Sequence, residues 1–164
     1  MRISRRSLLI GGAGGLALVA GFWTLSLDGP APGARLLSAE ELRVLEALTE
    51  AMFPEGAFPV GGHEADVPRR VDRILAEVLE EPQVTAFRYV LRTLDWGTAA
   101  SRGARFVDLP VEARREVLQT WQEPDVMARR VAADSLKAIL GMAYFSHPAV
   151  LGHIGWRVGC GREA

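Results

Sequence analysis

Ser38-Ala39-Glu40-Glu41-Leu42-Arg43-Val44-Leu45-Glu46-Ala47-Leu48-Thr49-Glu50-Ala51-Met52-Phe53-Pro54 is the stretch that decides the fold. Ser38 followed three residues later by Glu41 is a capping box, in which the Glu41 carboxylate reaches back to the Ser38 amide. Leu42, Leu45, Leu48 and Met52 then recur at helical spacing and form one apolar stripe. Pro54 ends the run, because proline cannot continue a helix.

The same period governs the chain from Asp66 to the C-terminal region. Asp66 reads as the next N-cap, with Pro68 in the first turn and Val71, Ile74, Leu75 and Val78 on the buried face. After Glu81-Pro82 a third helix turns Val84, Phe87, Val90, Leu91 and Leu94 inward, and a glycine-containing loop is expected from Gly97 to Phe106. Asp108 reads as the cap of a fourth helix, with Pro110 early and Arg114, Val117, Leu118 and Trp121 following. A fifth starts near Asp125 and buries Val131, Ala132, Leu136, Ile139, Leu140 and Ala143 before His147-Pro148 stops it. Ala149 to Trp156 reads as a short turn or helix. No stretch keeps the period of two that a strand needs. The expected class is all-α: a compact bundle of about five helices.

Ahead of the bundle, Asp28 to Leu37 reads as a linker broken by Pro30, Pro32, Gly29 and Gly33. Before that, Met1-Arg2-Ile3-Ser4-Arg5-Arg6-Ser7-Leu8-Leu9-Ile10 opens an uncharged run from Leu8 to Leu27. The start resembles a twin-arginine signal, matching at Ser4, Arg5, Arg6 and Leu9. Leu8 and Ile10 stand where the pattern usually has Phe and Lys. Arg5 and Arg6 then act as an address read by the twin-arginine translocon, which implies a periplasmic destination. No clean Ala-x-Ala site follows, and an uncut run of about 20 residues is long enough to serve as a transmembrane tether. The division is therefore signal and linker over 1–34 and a helical domain over 35–164.

Composition narrows the function. Taking the three leader arginines and Asp28 away from the chain's 19 basic and 20 acidic residues leaves the domain at −3. A mildly acidic domain without a long basic run argues against nucleic-acid binding. Cys160, the single cysteine, has no partner within the chain, which points to a free thiol or an intermolecular bridge. His63, His147 and His153 do not share a helix face, as a metal site would require. Glu77, Glu80 and Glu81 read as a solvated face, not an acid–base pair. Ser135 and Ser146 lack a nucleophile-elbow context, and Gly61-Gly62 does not lie between a strand and a helix. No catalytic, metal-binding or cofactor-binding residue is assigned. The arginine pairs 69–70, 114–115 and 129–130 read as solvated. Trp96, Tyr144 and Trp156 sit at helix ends or in the tail, where a partner could cover them.

Several segments in order resemble one family over nearly the whole chain. They are Leu37-Ser38-Ala39-Glu40-Glu41, Leu48 to Pro54, Ala65-Asp66-Val67-Pro68, Phe106 to Pro110, and Ala143-Tyr144-Phe145-Ser146-His147-Pro148 with Ile154-Gly155-Trp156. The chain is similar to the small subunit, subunit 3, of gluconate 2-dehydrogenase and related flavoprotein sugar dehydrogenases. The tail departs from the family's usual ending at Trp156-Arg157-Val158-Gly159-Cys160. The resemblance implies a non-catalytic subunit that escorts and stabilises a flavoprotein dehydrogenase large subunit. FAD is then expected in that partner, with a multihaem cytochrome c as a further subunit. Cys160 is the expected point of an intermolecular disulfide. The alternatives are a stand-alone exported helical protein and a membrane-tethered scaffold of another periplasmic complex.

Overall fold

Helix α1 (Ala39–Met52) starts where the capping box places it. The Ser38 amide donates to Glu41 Oε2 at 2.9 Å, and the Glu41 amide donates to Ser38 Oγ at 3.3 Å. A computed structural model describes residues 28–56, 58–123 and 126–156. Five further helices follow: α2 (Val67–Val78), α3 (Glu81–Arg102), α4 (Val111–Gln122), α5 (Met127–Phe145) and α6 (Pro148–His153). A 3-10 turn, Phe106–Asp108, links α3 to α4. The described residues are all helix, turn and loop, and α6 adds a sixth helix to the five the spacing predicts. Among them no helix is long and apolar enough to cross a membrane.

α1 is the centre of the bundle. α2, α3 and α4 pack on it through Val44, Leu45, Ala47 and Leu48, all buried. α5 lies across α2 and α4 and touches α3 only lightly. Leu136, Leu140 and Ala143 join it to the shared core, which also holds Leu75, Leu91, Leu94 and Phe106. Removing this much apolar surface from water is the main favourable term in folding.

The structure departs from the sequence reading in several helix boundaries, caps and burials. α3 runs on to Arg102, through the region expected as a loop. A glycine inside a helix costs only about 1 kcal/mol relative to alanine, and the buried face continues past Gly97 with Thr98. Gly103 ends the helix in the left-handed conformation at φ 76°, which favours glycine. α4 begins at Val111 with Pro110 as its cap residue, and Asp108 belongs to the 3-10 turn that buries Phe106. Asp66 precedes α2 as expected but makes no side-chain cap bond. Val78 and Val131, expected inward, are 62% and 56% exposed.

Arg114 and Arg115 are not simply solvated. Arg114 donates to the carbonyls of Phe106 and Val107 and to Glu50, and Arg115 donates to Ala51 O at 3.1 Å. Arg115 thus supplies a donor to a carbonyl at the C-terminal end of α1, and Arg114 ties the 3-10 turn to Glu50 on the same helix. A Cβ on Gly62 would fall 2.4 Å from Thr49 Cγ2, so the chain at this position lies against α1 only with glycine there.

Candidate partner-binding surface

Three buried carboxylates fix the helices that frame the surface. Glu41 on α1 accepts from Arg88 Nε at 2.9 and 3.0 Å and from Arg92 Nε at 3.1 Å. Both arginines project from α3, one turn apart, so one carboxylate joins α3 to α1. Asp95 on α3 accepts from Arg105 at 2.8 and 2.5 Å and from the Val107 amide at 3.2 Å, which holds the 3-10 turn. Asp72 on α2 accepts three backbone amides from residues 35–37.

Arg105 extends this network to the exterior. Besides Asp95 it donates to Glu40 at 2.6 Å, and its guanidinium lies 4.6 Å from the centre of the Trp96 ring. Arg105's hydrogen bond holds the Glu40 carboxyl below the usual carboxylate range, with burial opposing and Arg43 adding to the effect. The same bond to Glu40 raises Arg105 against the opposing effect of burial. Trp96 is 45% exposed on this side of the bundle.

Tyr144 corrects the interface expectation. It is fully buried. Its ring stacks on Phe53 with centroids 4.2 Å apart, and its hydroxyl donates to Val60 O at 2.7 Å. The residue therefore locks α5 to the loop after α1, and a partner cannot reach it. Burial raises the hydroxyl above the usual tyrosine range. Phe58 and Phe145, which pack edge-on to the Tyr144 ring, are the ones left half exposed. Trp156 follows α6 and is 65% exposed, its amide donating to Leu151 O. Trp96 and Trp156 are thus accessible, and Tyr144 is not. Arg5, Arg6 and Cys160 lie outside the described residues.

A further feature was missed by sequence reasoning. Between α3 and α5 runs a groove of about 400 Å³, walled by Leu79, Phe87, Val90, Val131, Ala132 and Ile139. Its polar lining is Gln83 and Ser135, and no charged side chain lines it. Ser135 Oγ donates to Val131 O within its own helix. Val126 and Met127, just before the groove on α5, are exposed as well. An exposed apolar surface of this kind is what protein partners cover. The signal in the sequence is Val131, which has core spacing and yet is 56% exposed on the groove wall.

A second cleft, of about 480 Å³, is of a different character. Its lining includes Arg35, Arg69 and Arg73 together with Glu46, Asp66 and Asp72, beside His63. The charges are mixed, and Asp72 is already engaged by the backbone amides. Among the described residues, no group of three His, Cys, Asp or Glu side chains is placed to hold a metal ion.

A family model described as Gluconate 2-dehydrogenase subunit 3 matches residues 39–159. No curated protein and no solved structure gives a significant match.

Proposed function

The chain belongs to the gluconate 2-dehydrogenase subunit 3 family, and from that premise we propose that it is a non-catalytic accessory subunit docking on a flavoprotein dehydrogenase large subunit. The observation that carries the proposal is the uncharged apolar groove between α3 and α5 on a chain whose family is named as a subunit. A groove without charge suits an apolar segment of the partner, and its exposed rim would be covered on binding. In this reading the FAD sits in the partner, and a multihaem cytochrome c is the third subunit. Arg5 and Arg6 address the assembled pair to the twin-arginine translocon, which suits a flavoprotein that must load its cofactor before export.

Co-purification from the native bacterium tests docking. A tagged copy should bring down a large subunit with flavin absorbance, and a chain recovered alone would overturn the reading. Val131→Glu should cut that recovery by roughly tenfold or more, because a charge in an apolar interface stays unpaired. Its thermal midpoint should hardly change, since Val131 is exposed in the isolated chain. Export is tested separately. With Arg5→Lys/Arg6→Lys the partner should remain in the cytoplasm, and its arrival in the periplasm at the normal level would sink the escort role.

A further inference from the structure

Residues 28–37 precede the stretch that the family model matches. Residues 28–37 lack helix or strand, and they are nonetheless strapped to the bundle at successive points. Arg88 Nη2 donates to Asp28 O at 3.2 Å. The Ala31 amide donates to Leu37 O and the Ala34 amide to Ala31 O, both at 2.9 Å. The amides of Arg35, Leu36 and Leu37 then converge on the Asp72 carboxylate at 2.6, 3.0 and 2.9 Å. Arg35 also pairs with Glu77 at 2.5 Å, and the Leu37 side chain is fully buried.

Asp72 dominates this arrangement. It is 4% exposed, so water offers it little, and three N–H donors compensate its charge. Opening the strap would leave a buried carboxylate without partners. The strap is thus tied to the folding of α2, which carries Asp72, and of α3, which carries Arg88.

The strap also holds the small-residue stretches after Asp28 that come nearest to a leader-peptidase pattern. These are Gly29-Pro30-Ala31, Ala31-Pro32-Gly33 and the run ending at Ala34. A protease needs its substrate segment locally opened, and cleavage tracks the open population. We propose that the strap closes residues 28–37 to leader peptidase, so that any mature form of this chain begins at or before Asp28. The order of events rests on the proposed export: the twin-arginine route moves folded proteins, so the strap forms before the peptidase meets it. The apolar run is then either retained whole or cut upstream of the strap. The docked linker in every case stays with the domain.

Two measurements test this. Trypsin digestion of the purified full chain reads the strap without reference to export. The Arg35–Leu36 bond should be cut at least roughly tenfold more slowly in the folded chain than in the chain unfolded in urea. Asp72→Ala, checked for helix content by circular dichroism, should lose that protection. Equal cutting in the folded and unfolded wild-type chains would overturn the proposal, whether or not the variant folds. Intact mass of the chain recovered from the periplasm and membrane should give an N-terminus at or before residue 28. An N-terminus between 29 and 37 would overturn it. A chain held in the cytoplasm counts against the proposed export, and the trypsin result still decides the strap.

Discussion

Replacing Glu41 with alanine should cost about 3 kcal/mol and lower the thermal midpoint by roughly 10 °C. The reason is what stays behind. Glu41 is 1% exposed and serves as the common acceptor for Arg88, Arg92 and the Ser38 amide. Removing it leaves two guanidinium groups without their shared counter-charge and the buried Ser38 amide without its acceptor, while Ser38 Oγ still caps the amide of residue 41. Arg88 can turn its head to water, which limits the loss. Arg92 is less free, for its side chain is 12% exposed and its Nη1 already lacks a partner. Glu41→Gln keeps an acceptor for the Ser38 amide and should fall between alanine and wild type. Arg92→Leu should be milder still, because Arg88 continues to compensate the carboxylate. Thermal unfolding followed by circular dichroism gives the order. A Glu41→Ala midpoint within a degree or two of wild type would mean that the network contributes little.

Tyr144→Ala should destabilise the domain by about 4 kcal/mol, and Tyr144→Phe by about 1 kcal/mol. Alanine removes a fully buried ring, its stack on Phe53 and its edge contacts with Phe58 and Phe145. Phenylalanine keeps the ring and loses only the hydrogen bond to Val60 O. The pair separates a packing role from a docking role. A docking residue would leave the midpoint of the isolated chain unchanged and weaken recovery of the partner. Equilibrium urea unfolding of both variants gives the answer, and equal midpoints for alanine and wild type would return Tyr144 to the interface.

The helical architecture was legible because the apolar stripes are regular. Leu45 and Leu48, Val71 and Leu75, and Leu91 and Leu94 lie where spacing puts them. The buried carboxylates were legible too, in a way the sequence reading did not use. Glu41 stands with Val44, Leu45 and Leu48, Asp72 with Pro68, Val71 and Leu75, and Asp95 with Leu91, Leu94 and Thr98. Each occupies one position of an i, i+3, i+4, i+7 set that is otherwise inward-facing. A charge on such a stripe must find a partner in the interior, so these three mark the polar joints of the bundle. What periodicity does not carry is which elements meet. Val131 has the spacing of a core residue, yet a groove lies between α3 and α5 and leaves it exposed on the wall; Val78, at the last position of α2, is exposed as well. Tyr144 sits one turn before His147-Pro148, which suggested an exposed helix end. Its burial depends on Phe53 and Val60, which follow α1 and lie more than 80 residues away in sequence. Gly97 looked like a break, but tertiary packing on both sides of it outweighs its weak propensity.

The grip of Asp72 has a consequence for how this chain can vary. It reads main-chain N–H groups at three consecutive positions and no side chain among them. Position 35, whose side chain is exposed, can therefore drift among nearly all residue types while the grip stays intact. Proline is the exception, since it has no N–H to offer. At positions 36 and 37 the side chains pack against and within the core, which adds a demand for apolar residues. One acidic side chain on α2 thus imposes on the segment before α1 a rule of exclusion, with almost no rule of identity.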